Sequence, residues 1–459
     1  MPPTSTMPTS TMPTSTMPTS TMPSAGGDAG APRATHTPAD AVGTGLLAGY
    51  RAGHGPDLAG HLAYHGPPPL PRAGDRGWPA RLGAALDASG LTGRGGAGFS
   101  SSAKLRLAAG SGGGATLVVN AMEGEPASAK DHVLLSCVPH LVLDGAELAA
   151  SAVGARRVVV CVADDRHDTA RAVARAVAER TGTPLSPVLV ELARPPAGYV
   201  SGEESALVSW LDGGPGAPTF RPVKGVALSI GRRRALVHNA ETLAHVALIA
   251  RHGPDWFRAV GPSDTPGTAL VTVGGAVARP GVFEVAMGSP LGAIIDGAVP
   301  TEPVAAVLTG GYGGSWVPAP ALSTPYAPRP MGAVGGVVGA GVLVVLPHHA
   351  CGLAETARLA HYMAGESAGQ CGPCVFGLPA VAGNLVELAN GVGGAAALRR
   401  LEGQLVAIEG RGACRHPDGV VRMVRSALRT FAPDVAAHAA GRPCAHRARP
   451  SLLTPARPR

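Results

Sequence analysis

A glycine-rich loop at residues 93–98 is the segment of this chain best suited to hold a cofactor. Four of its six positions are glycine, so its backbone N–H groups can approach a phosphate or a flat ring closely. The loop contains the spacing Gly-x-Gly-x-x-Gly, which is a weak signal alone, and Arg94 adds a bidentate partner for an anion. A glycine-rich surface loop, in a chain with 65 glycines, is the alternative interpretation.

The segments around this loop change its interpretation. Residues 79–91 predict a short amphipathic helix, whereas a dinucleotide-binding fingerprint should follow a strand, so an ordinary Rossmann crossover is disfavoured. A strand-like run at 115–119 ends at Asn120, and an acidic segment at 123–126 follows. Asparagine at a strand end is often a turn former, but it also offers amide donors and an acceptor to a ligand.

Two later segments also combine polar side chains with glycine or a helix start. Tyr199 and Gly202 precede two adjacent carboxylates, Glu203 and Glu204, which could recognise ribose hydroxyls or a nicotinamide amide. A solvated helix start is the alternative, because a serine cap and acids in the first turn are typical of one. The second segment, at 238–243, has the sequence His-Asn-Ala-Glu-Thr-Leu.

Cysteines provide a third kind of chemistry. Cys371 and Cys374 are separated by two residues, and Cys414 follows, so three thiolates are available to a metal. Thiolates are the usual ligands of iron–sulfur clusters. A redox pair, half of a zinc site, or a pair of thiols without a metal are the alternatives.

In this order the segments resemble the flavin-bearing, NADH-oxidising subunit family of respiratory NADH:quinone oxidoreductase (complex I) and related diaphorase subunits of soluble hydrogenases and formate dehydrogenases. The resemblance extends from about residue 75 to about residue 434. It implies an NADH dehydrogenase subunit that accepts hydride from NADH on FMN. Single electrons would then pass through an iron–sulfur cluster to a ferredoxin-like or quinone-linked iron–sulfur partner.

The resemblance also implies the residues that hold the cofactors. Glu125 and Tyr199 are expected to position the nicotinamide at the open face of the flavin. The expected FMN and NAD(H) site comprises Gly93, Arg94, Gly95, Gly96, Ala97, Gly98, Phe99, Lys104, Asn120, Glu123, Gly124, Glu125, Tyr199, Gly202, Glu203, Glu204, Lys224, His238, Asn239 and Thr242.

The expected cluster ligands are Cys371, Cys374 and Cys414, but the family motif has one more cysteine, where this chain has Ala368. Three thiolates can hold a 3Fe-4S cluster. A 4Fe-4S cluster needs a further ligand, for which the candidates are Glu366, His361, His416, Cys351 and Cys444.

The NADH pocket departs from the family more than the flavin pocket does. The family has an aromatic residue near 224–226 that stacks on adenine, whereas this chain has none between Phe220 and Trp256, and Met122 replaces an acidic residue. Phe99 and Lys224 are the remaining contacts expected there. A flavin electron carrier with another donor, or a non-catalytic partner-binding module with degenerate sites, are therefore the alternative functions.

Composition excludes other classes of protein. The net charge is +7, but three lysines against 35 arginines indicate a coding bias, and basic residues do not alternate with aromatics as in nucleic-acid-binding proteins. Seven cysteines in 459 residues favour a reducing cytoplasm over a disulfide framework. No uninterrupted apolar run is long enough to predict a membrane span.

The predicted fold class is α/β: a Rossmann-like FMN-binding domain, then a small β-grasp (SLBB-type) domain, then a C-terminal four-helix bundle. Strands are predicted near 116–120, 157–163 and 188–192, and helices at 131–153 and 168–181. Residues 54–77 are predicted to be an extended lead-in. Residues 1–40 are expected to be a disordered low-complexity tail, which lacks the pattern of a signal peptide. The other expected boundaries are 75–253 for the FMN/NADH domain, 267–346 for the β-grasp domain, 351–434 for the iron–sulfur bundle, and 435–459 for a flexible tail.

Overall fold

Two five-stranded sheets and a group of C-terminal helices make up the computed structural model, which describes residues 45–72, 74–96, 98–109, 114–220 and 227–452. The expected tail at 1–40 and the site residues Ala97 and Lys224 lie outside the described residues. The strands are β1 (Ala115–Asn120), β2 (Arg157–Cys161), β3 (Leu189–Ala193), β4 (Leu228–Ile230), β5 (Arg233–Asn239), β6 (Thr268–Gly275), β7 (Gly281–Ala286), β8 (Val304–Thr309), β9 (Ser315–Pro318) and β10 (Val342–Pro347).

The helices differ widely in length, and the longer ones are amphipathic or buried. They are α1 (Ala48–Arg51), α2 (Leu58–His65), α3 (Trp78–Ser89), α4 (Ser101–Ala109), α5 (Lys130–Cys137), α6 (Pro139–Ala152), α7 (His167–Arg180), α8 (Glu204–Leu211), α9 (Ala240–His252), α10 (Pro254–Arg258), α11 (Leu291–Gly297), α12 (Pro328–Ala333), α13 (Gly352–Gly365), α14 (Leu378–Ala389), α15 (Gly394–Ile408), α16 (His416–Thr430) and α17 (Ala432–Ala439).

The first sheet has the strand order β3-β2-β1-β5-β4. β1 runs parallel to both β2 and β5, and β4 is an antiparallel edge strand. Leu117, Val118 and Val119 are all fully buried, because one face of the sheet packs in the core that includes α6 and α9 and the other packs against α8. A continuous apolar run is typical of a parallel strand covered on both faces, so the α/β class is confirmed.

The helix predicted at 131–153 is wrong in one respect, because the structure breaks it into α5 and α6 with a bend of 94°. Pro139 is the first residue of α6, where proline lacks the N–H that would continue the preceding helix. The bend places the first residues of α5 next to the acidic segment at 123–126. It also allows α6 to pack along α9. Within the described residues no single helix is long and apolar enough to span a membrane, although α5 and α6 together meet the length and composition criteria.

The second sheet has the order β7-β6-β10-β8-β9, with β6 parallel to β10 and the other pairs antiparallel. One face packs against α11 through Leu291, Ile294 and Ile295. The other face supplies Leu308, Trp316 and further residues to the core that it shares with the C-terminal helices. The sheet is therefore a middle layer between two groups of helices.

The C-terminal helices α13, α14, α15 and α16 share one apolar core, and the shorter α17 also packs against it. Two expectations differ from this arrangement. The tail expected to be flexible from 435 instead contains α17, whose Val435 and His438 are buried. The lead-in expected to be extended at 54–77 contains α2, which Asp57 caps by accepting the Gly60 N–H.

The crossing of α6 and α9 yields a prediction about stability. A Cβ added at Gly145 would lie 1.8 Å from the Leu243 carbonyl oxygen, whereas one added at Gly403, an exposed mid-helix glycine, would meet nothing within 4 Å. We expect Gly145→Ala to lower the free energy of unfolding by about 3 kcal/mol. Gly403→Ala should instead raise it by about 1 kcal/mol. Chemical denaturation of both variants measures the difference, and equal effects would contradict the close crossing.

Candidate functional site

The carboxyl ends of β1 and β5 form the centre of the site. Asn120 and Asn239 end these two strands and are paired in register, and the Asn239 Nδ2 donates to the Asn120 carbonyl oxygen at 3.2 Å. The Asn120 Nδ2 donates in turn to the Gly202 carbonyl oxygen at 2.9 Å. In the strand order β3-β2-β1-β5-β4, the strands that follow β1 in sequence are added first on one side of it and then on the other. Such a reversal is a topological switch point, and parallel sheets bind ligands at switch points.

The glycine-rich loop lies over these strand ends. α3 ends before it, as the pattern predicts, and the Gly93 N–H donates to the Phe99 carbonyl oxygen at 2.8 Å. Gly95 and Gly96 line the cleft. A Cβ at Gly95 would lie 3.3 Å from the Asn239 Cβ, and Gly96 has φ +101°, which a larger residue adopts only with strain.

Arg94 corrects the expectation of an anion-binding side chain, because its guanidinium turns away from the cleft. It is half-buried and donates to the Pro266 carbonyl oxygen at 3.2 Å. Its backbone N–H donates to Thr242 Oγ1 at 2.9 Å. Arg94 and Thr242 therefore anchor the loop, and burial lowers the pKa of Arg94 although the charge of Glu241 opposes this.

Lys104, Gly98, Phe99 and His238 also do not line the cleft that the described residues form. The Lys104 ammonium lies 3.0 Å from Glu204 Oε1 and 3.2 Å from the Val237 carbonyl oxygen. His238 is buried, and burial together with the nearby Lys104 lowers its pKa to about 3, so its imidazole is neutral.

The acidic segment contributes a strained residue. Glu123 has φ +46°, a region that costs a non-glycine residue about 1 kcal/mol or more. Its carboxylate accepts the N–H groups of Asp131 at 2.8 Å and His132 at 3.2 Å, which caps the start of α5. Gly124 follows, and a Cβ there would meet the Gly198 and Tyr199 carbonyl oxygens at 2.8 Å. This contact explains why the segment needs glycine at that position.

Glu125 and Tyr199 come together, as expected for two residues of one site. Burial raises the pKa of Glu125 to about 7, opposed by the Tyr312 N–H, which donates to Glu125 Oε2 at 2.8 Å. Burial and the Glu125 charge raise the pKa of Tyr199, whose hydroxyl accepts the Gly313 N–H at 3.2 Å. Both residues line the cleft and connect it to the turn between β8 and β9.

The two adjacent glutamates have different environments. Glu203 caps α8 by accepting the N–H groups of Ser205 at 2.8 Å and Ala206 at 3.1 Å, and it also lines the cleft. Glu204 pairs with Lys104 instead. The cap of α8 is therefore Glu203 and not the serine that the sequence suggested. The binding role of Glu203 stays a prediction.

Several residues of the cleft were not predicted as site residues. The Lys130 ammonium lies 2.9 Å from Asp131 Oδ1, 3.0 Å from Asn239 Oδ1 and 3.0 Å from Glu241 Oε2. Burial opposes its charge, but the two carboxylates outweigh burial and raise its pKa. Lys130 is one of only three lysines, which was the available signal.

Helix α16 supplies another wall of the cleft that was not predicted from the sequence. His416 packs edge-on against Tyr199 with ring centroids 5.3 Å apart, and its Nε2 donates to the Met363 carbonyl oxygen at 2.8 Å. Its Nδ1 is buried and has no hydrogen-bond partner among the described residues. Arg422 lines the same cleft and donates to the Gly313 carbonyl oxygen.

FMN fits this cleft by size and by donor chemistry. The cavity measures about 340 Å³, within the range of roughly 300–1,000 Å³ for small-molecule sites. Glycines line two sides of it, at the 95–96 loop and at Gly310, Gly313 and Gly339. Amide and guanidinium groups line it, and the His416 Nδ1 is an acceptor without an internal partner among the described residues.

The three expected cluster thiols lie beside this cleft. Cys374 is buried, and burial followed by the neighbouring Cys371 and Cys414 raises its pKa to about 12. Cys414 itself lines the cleft, where burial and then the charge of Glu203 raise its pKa. The donor set suits iron, and Ala368 offers no ligand atom.

The candidate further ligands have other partners. The Glu366 carboxylate accepts the Tyr199 N–H at 2.9 Å, His416 belongs to the cleft wall, and His361 is exposed on α13. Cys351 and Cys444 lie with His438 in a separate group. None of these residues is therefore placed as a fourth ligand in the part of the chain that the structure describes.

Comparison with known proteins gives consistent matches. The sequence-family model of the Nuo51 FMN-binding domain matches residues 86–248. The family model of the NADH-ubiquinone oxidoreductase-F iron-sulfur binding region matches residues 354–438. The NADH-quinone oxidoreductase subunit designated F 2 of Rhizobium meliloti (strain 1021) is 30% identical over 370 residues, covering 78% of this chain and 88% of the relative. The corresponding subunit of Streptomyces coelicolor is 31% identical over 370 residues, covering 78% and 82%.

A solved structure agrees with these relatives. The air-oxidized NAD+-reducing [NiFe]-hydrogenase is similar with a TM-score of 0.71 and 32% sequence identity, covering 78% of this chain. The chain spans 63% of the hydrogenase chain that it matches.

The geometry of the loop yields a prediction about flavin. Gly96→Leu should reduce the FMN retained after gel filtration at least about tenfold, because Gly96 lines the cleft and the added side chain would occupy space that the flavin needs. Gly182→Leu is the control, since Gly182 has φ +77° and open space around it, so it shares the backbone strain without touching the cleft. Absorbance of bound flavin per chain measures both, and full retention in Gly96→Leu would remove the loop from the site.

Proposed function

This chain belongs to the family of F subunits of NADH-quinone oxidoreductase, and we propose that the cleft at the ends of β1 and β5 is its FMN and NADH site. The chain is an NADH-oxidising flavoprotein subunit with a 4Fe-4S binding region. One observation favours this cleft above all: residues of the glycine loop and Cys414 line the same cavity. A flavin in it would therefore lie beside a cluster ligand.

Bound FMN supplies the hydride acceptor and the conversion from two-electron to one-electron transfer. The residues of this chain would bind and orient it. Gly95 and Gly96 admit the ring or phosphate, Asn120 donates a hydrogen bond, and the His416 Nδ1 accepts one. Glu123 and Asn239 hold the positions of these groups through the contacts at the start of α5.

The roles of Glu125 and Tyr199 follow from their burial. A carboxyl with a pKa of about 7 is partly protonated at neutral pH, so it can donate to or accept from a nicotinamide amide without a fixed charge. Tyr199 adds a rigid ring beside it. We assign both residues to orienting the nicotinamide, since orientation of the donor is what hydride transfer requires of the protein.

We further propose that Cys371, Cys374 and Cys414 ligate the cluster, in a 3Fe-4S form where no fourth ligand joins. The helices that carry them, over 351–434, would be the family's iron–sulfur bundle, and the second sheet, over 267–346, its β-grasp SLBB-type domain. A mixed sheet with α11 on one face supports the latter assignment.

The electron acceptor would be a ferredoxin-like or iron–sulfur partner subunit in the cytoplasm. The names of the relatives support this proposal, because each describes a subunit. An exposed aromatic side chain close to the cluster motif supports it as well, since Phe376 follows Cys374 in the chain and is 76% exposed.

Electron entry can be tested at Glu125. Glu125→Gln should retain FMN but slow its bleaching by NADH at least about tenfold in anaerobic stopped-flow, because the nicotinamide loses its orienting carboxyl. Unchanged bleaching would remove Glu125 from the donor site. Wild-type flavin that NADH does not reduce at all would favour a carrier with another donor.

Glu147→Gln is the matched control for this test. Burial raises the pKa of Glu147 to about 7 as well, but it lies in α6 outside the cleft. A raised pKa costs stability as pH rises from the ordinary carboxyl value of 4.5 through the folded value. Both variants should therefore gain thermal stability over the wild type above pH 7 and lose that gain near pH 4, while only Glu125→Gln changes bleaching.

The cluster can be tested at Ala368. Anaerobically reconstituted wild-type protein should show a 3Fe signal in low-temperature electron paramagnetic resonance after oxidation. Ala368→Cys should replace it with a four-iron cluster that is silent when oxidised, because the fourth thiolate is restored. Ser367→Cys, one residue out of the motif, should keep the 3Fe signal. Iron-free wild-type protein would contradict the cluster and favour the non-catalytic module.

A further inference from the structure

A second group of metal-binding side chains lies outside the flavin and cluster site. Cys351, His438 and Cys444 bring one ligand atom each to within 4.8 Å of one another, and they are the one such group in the described residues. Cys351 caps α13, His438 is in α17, and Cys444 follows that helix. Cys351 is 3% and His438 0% exposed, so the group converges in the protein interior.

The histidine is oriented as a metal ligand is. Its Nδ1 lies 3.3 Å from the Leu388 carbonyl oxygen, which can only accept, so Nδ1 carries the proton. Its Nε2 is therefore the lone-pair atom. Without a metal this lone pair accepts the Cys444 N–H at 3.1 Å, and a metal ion between the imidazole and the two thiols would take the place of that hydrogen bond. Metal-bound histidines characteristically donate their other N–H to a carbonyl or carboxylate in this way.

The Cys351 thiol is also placed for metal binding. Its Sγ lies 4.0 Å from His438 Nε2 and accepts the Ala354 N–H at 3.4 Å, at the N-terminus of α13. With a cation bound, the backbone N–H and the positive end of the helix would stabilise the thiolate.

We propose that Cys351, His438 and Cys444 bind one Zn²⁺, distinct from the iron–sulfur cluster. Two sulfurs and one imidazole nitrogen are a donor set that zinc prefers in tetrahedral sites. Zn²⁺ replaces the protons of the two thiols, which pass to solvent, and no electrons are transferred. A water molecule would complete the tetrahedral coordination.

The site would fasten the C-terminal segment to the start of α13. Hydrogen bonds also join that segment to α13: the Arg358 guanidinium donates to the Arg449 carbonyl oxygen at 2.9 Å, and Ser451 Oγ donates to Glu355 Oε2 at 3.2 Å. Leu452 packs against the apolar core that includes α13. Each such hydrogen bond contributes modestly to stability, because water competes for the same groups. A metal that joins two chain segments far apart in sequence stabilises their packing much more.

The experiment is zinc analysis of the full-length protein reconstituted with FMN and with its cluster. Wild type should hold one zinc per chain, and Cys351→Ser and Cys444→Ser should each lose it. Cys137→Ser is the matched control, because Cys137 is a buried thiol outside both sites. Cys371→Ser should lose iron and keep zinc. Zinc lost in Cys371→Ser but kept in Cys351→Ser would overturn the proposal, since the metal would then belong to the cluster motif.

Cobalt provides a second readout that does not require the Cys351 or Cys444 variants to fold. Apo wild type and the Cys371→Ser/Cys374→Ser/Cys414→Ser variant should both develop the sulfur-to-cobalt charge-transfer band of a tetrahedral thiolate site when Co²⁺ is added. Absence of this band in wild type would overturn the proposal. Mass spectrometry that finds a Cys351–Cys444 disulfide in protein purified with reductant would overturn it as well.

Discussion

The buried ammonium of Lys130 is the interaction on which the site depends. It is shared among Asp131, Asn239 and Glu241 at 2.9–3.0 Å, and the three charged side chains are nearly excluded from water. Removing one partner of a buried ion pair costs about 3–5 kcal/mol, because the other charge remains unpaired. Glu241 also accepts the Leu270 N–H at 2.9 Å, so the same node joins α5, α9 and the second sheet.

This node determines where the polar atoms of the cleft lie. Asn239 is fixed by Lys130 and holds Asn120, which in turn holds the Gly202 carbonyl oxygen. The remaining walls come from other layers, because Tyr312 donates to Glu125 and Glu366 accepts from Tyr199. The cleft is therefore complete only when the first sheet, the second sheet and the C-terminal helices have packed together.

Sequence patterns predicted the elements better than the directions of charged side chains. β1 and β2 were predicted within two residues at each end, since buried parallel strands are continuous apolar runs, and α3 was predicted before the loop. The break between α5 and α6 was missed although Pro139 marks it. Arg94 was assigned to an anion and Lys104 to the cofactor site, but their side chains contact the Pro266 carbonyl oxygen and Glu204, which lie a hundred or more residues away in sequence. Contacts of that separation depend on tertiary packing, which local patterns do not contain.

The seven cysteines illustrate the same limit and also what the structure adds. Spacing related Cys371 to Cys374, but Cys351 and Cys444 were equal candidates for the same cluster because they are close to it in sequence. Folding separates them: Cys351 and Cys444 face His438, while Cys414 faces the cleft. Burial alone raises the pKa of Cys161 to about 12, opposed only by Arg157, so that thiol is inert packing. An imidazole beside two thiols suits zinc, whereas the thiols of the cluster motif follow the spacing of iron–sulfur ligands. The fold therefore divides cysteines that the sequence alone left together into two groups within one helical region.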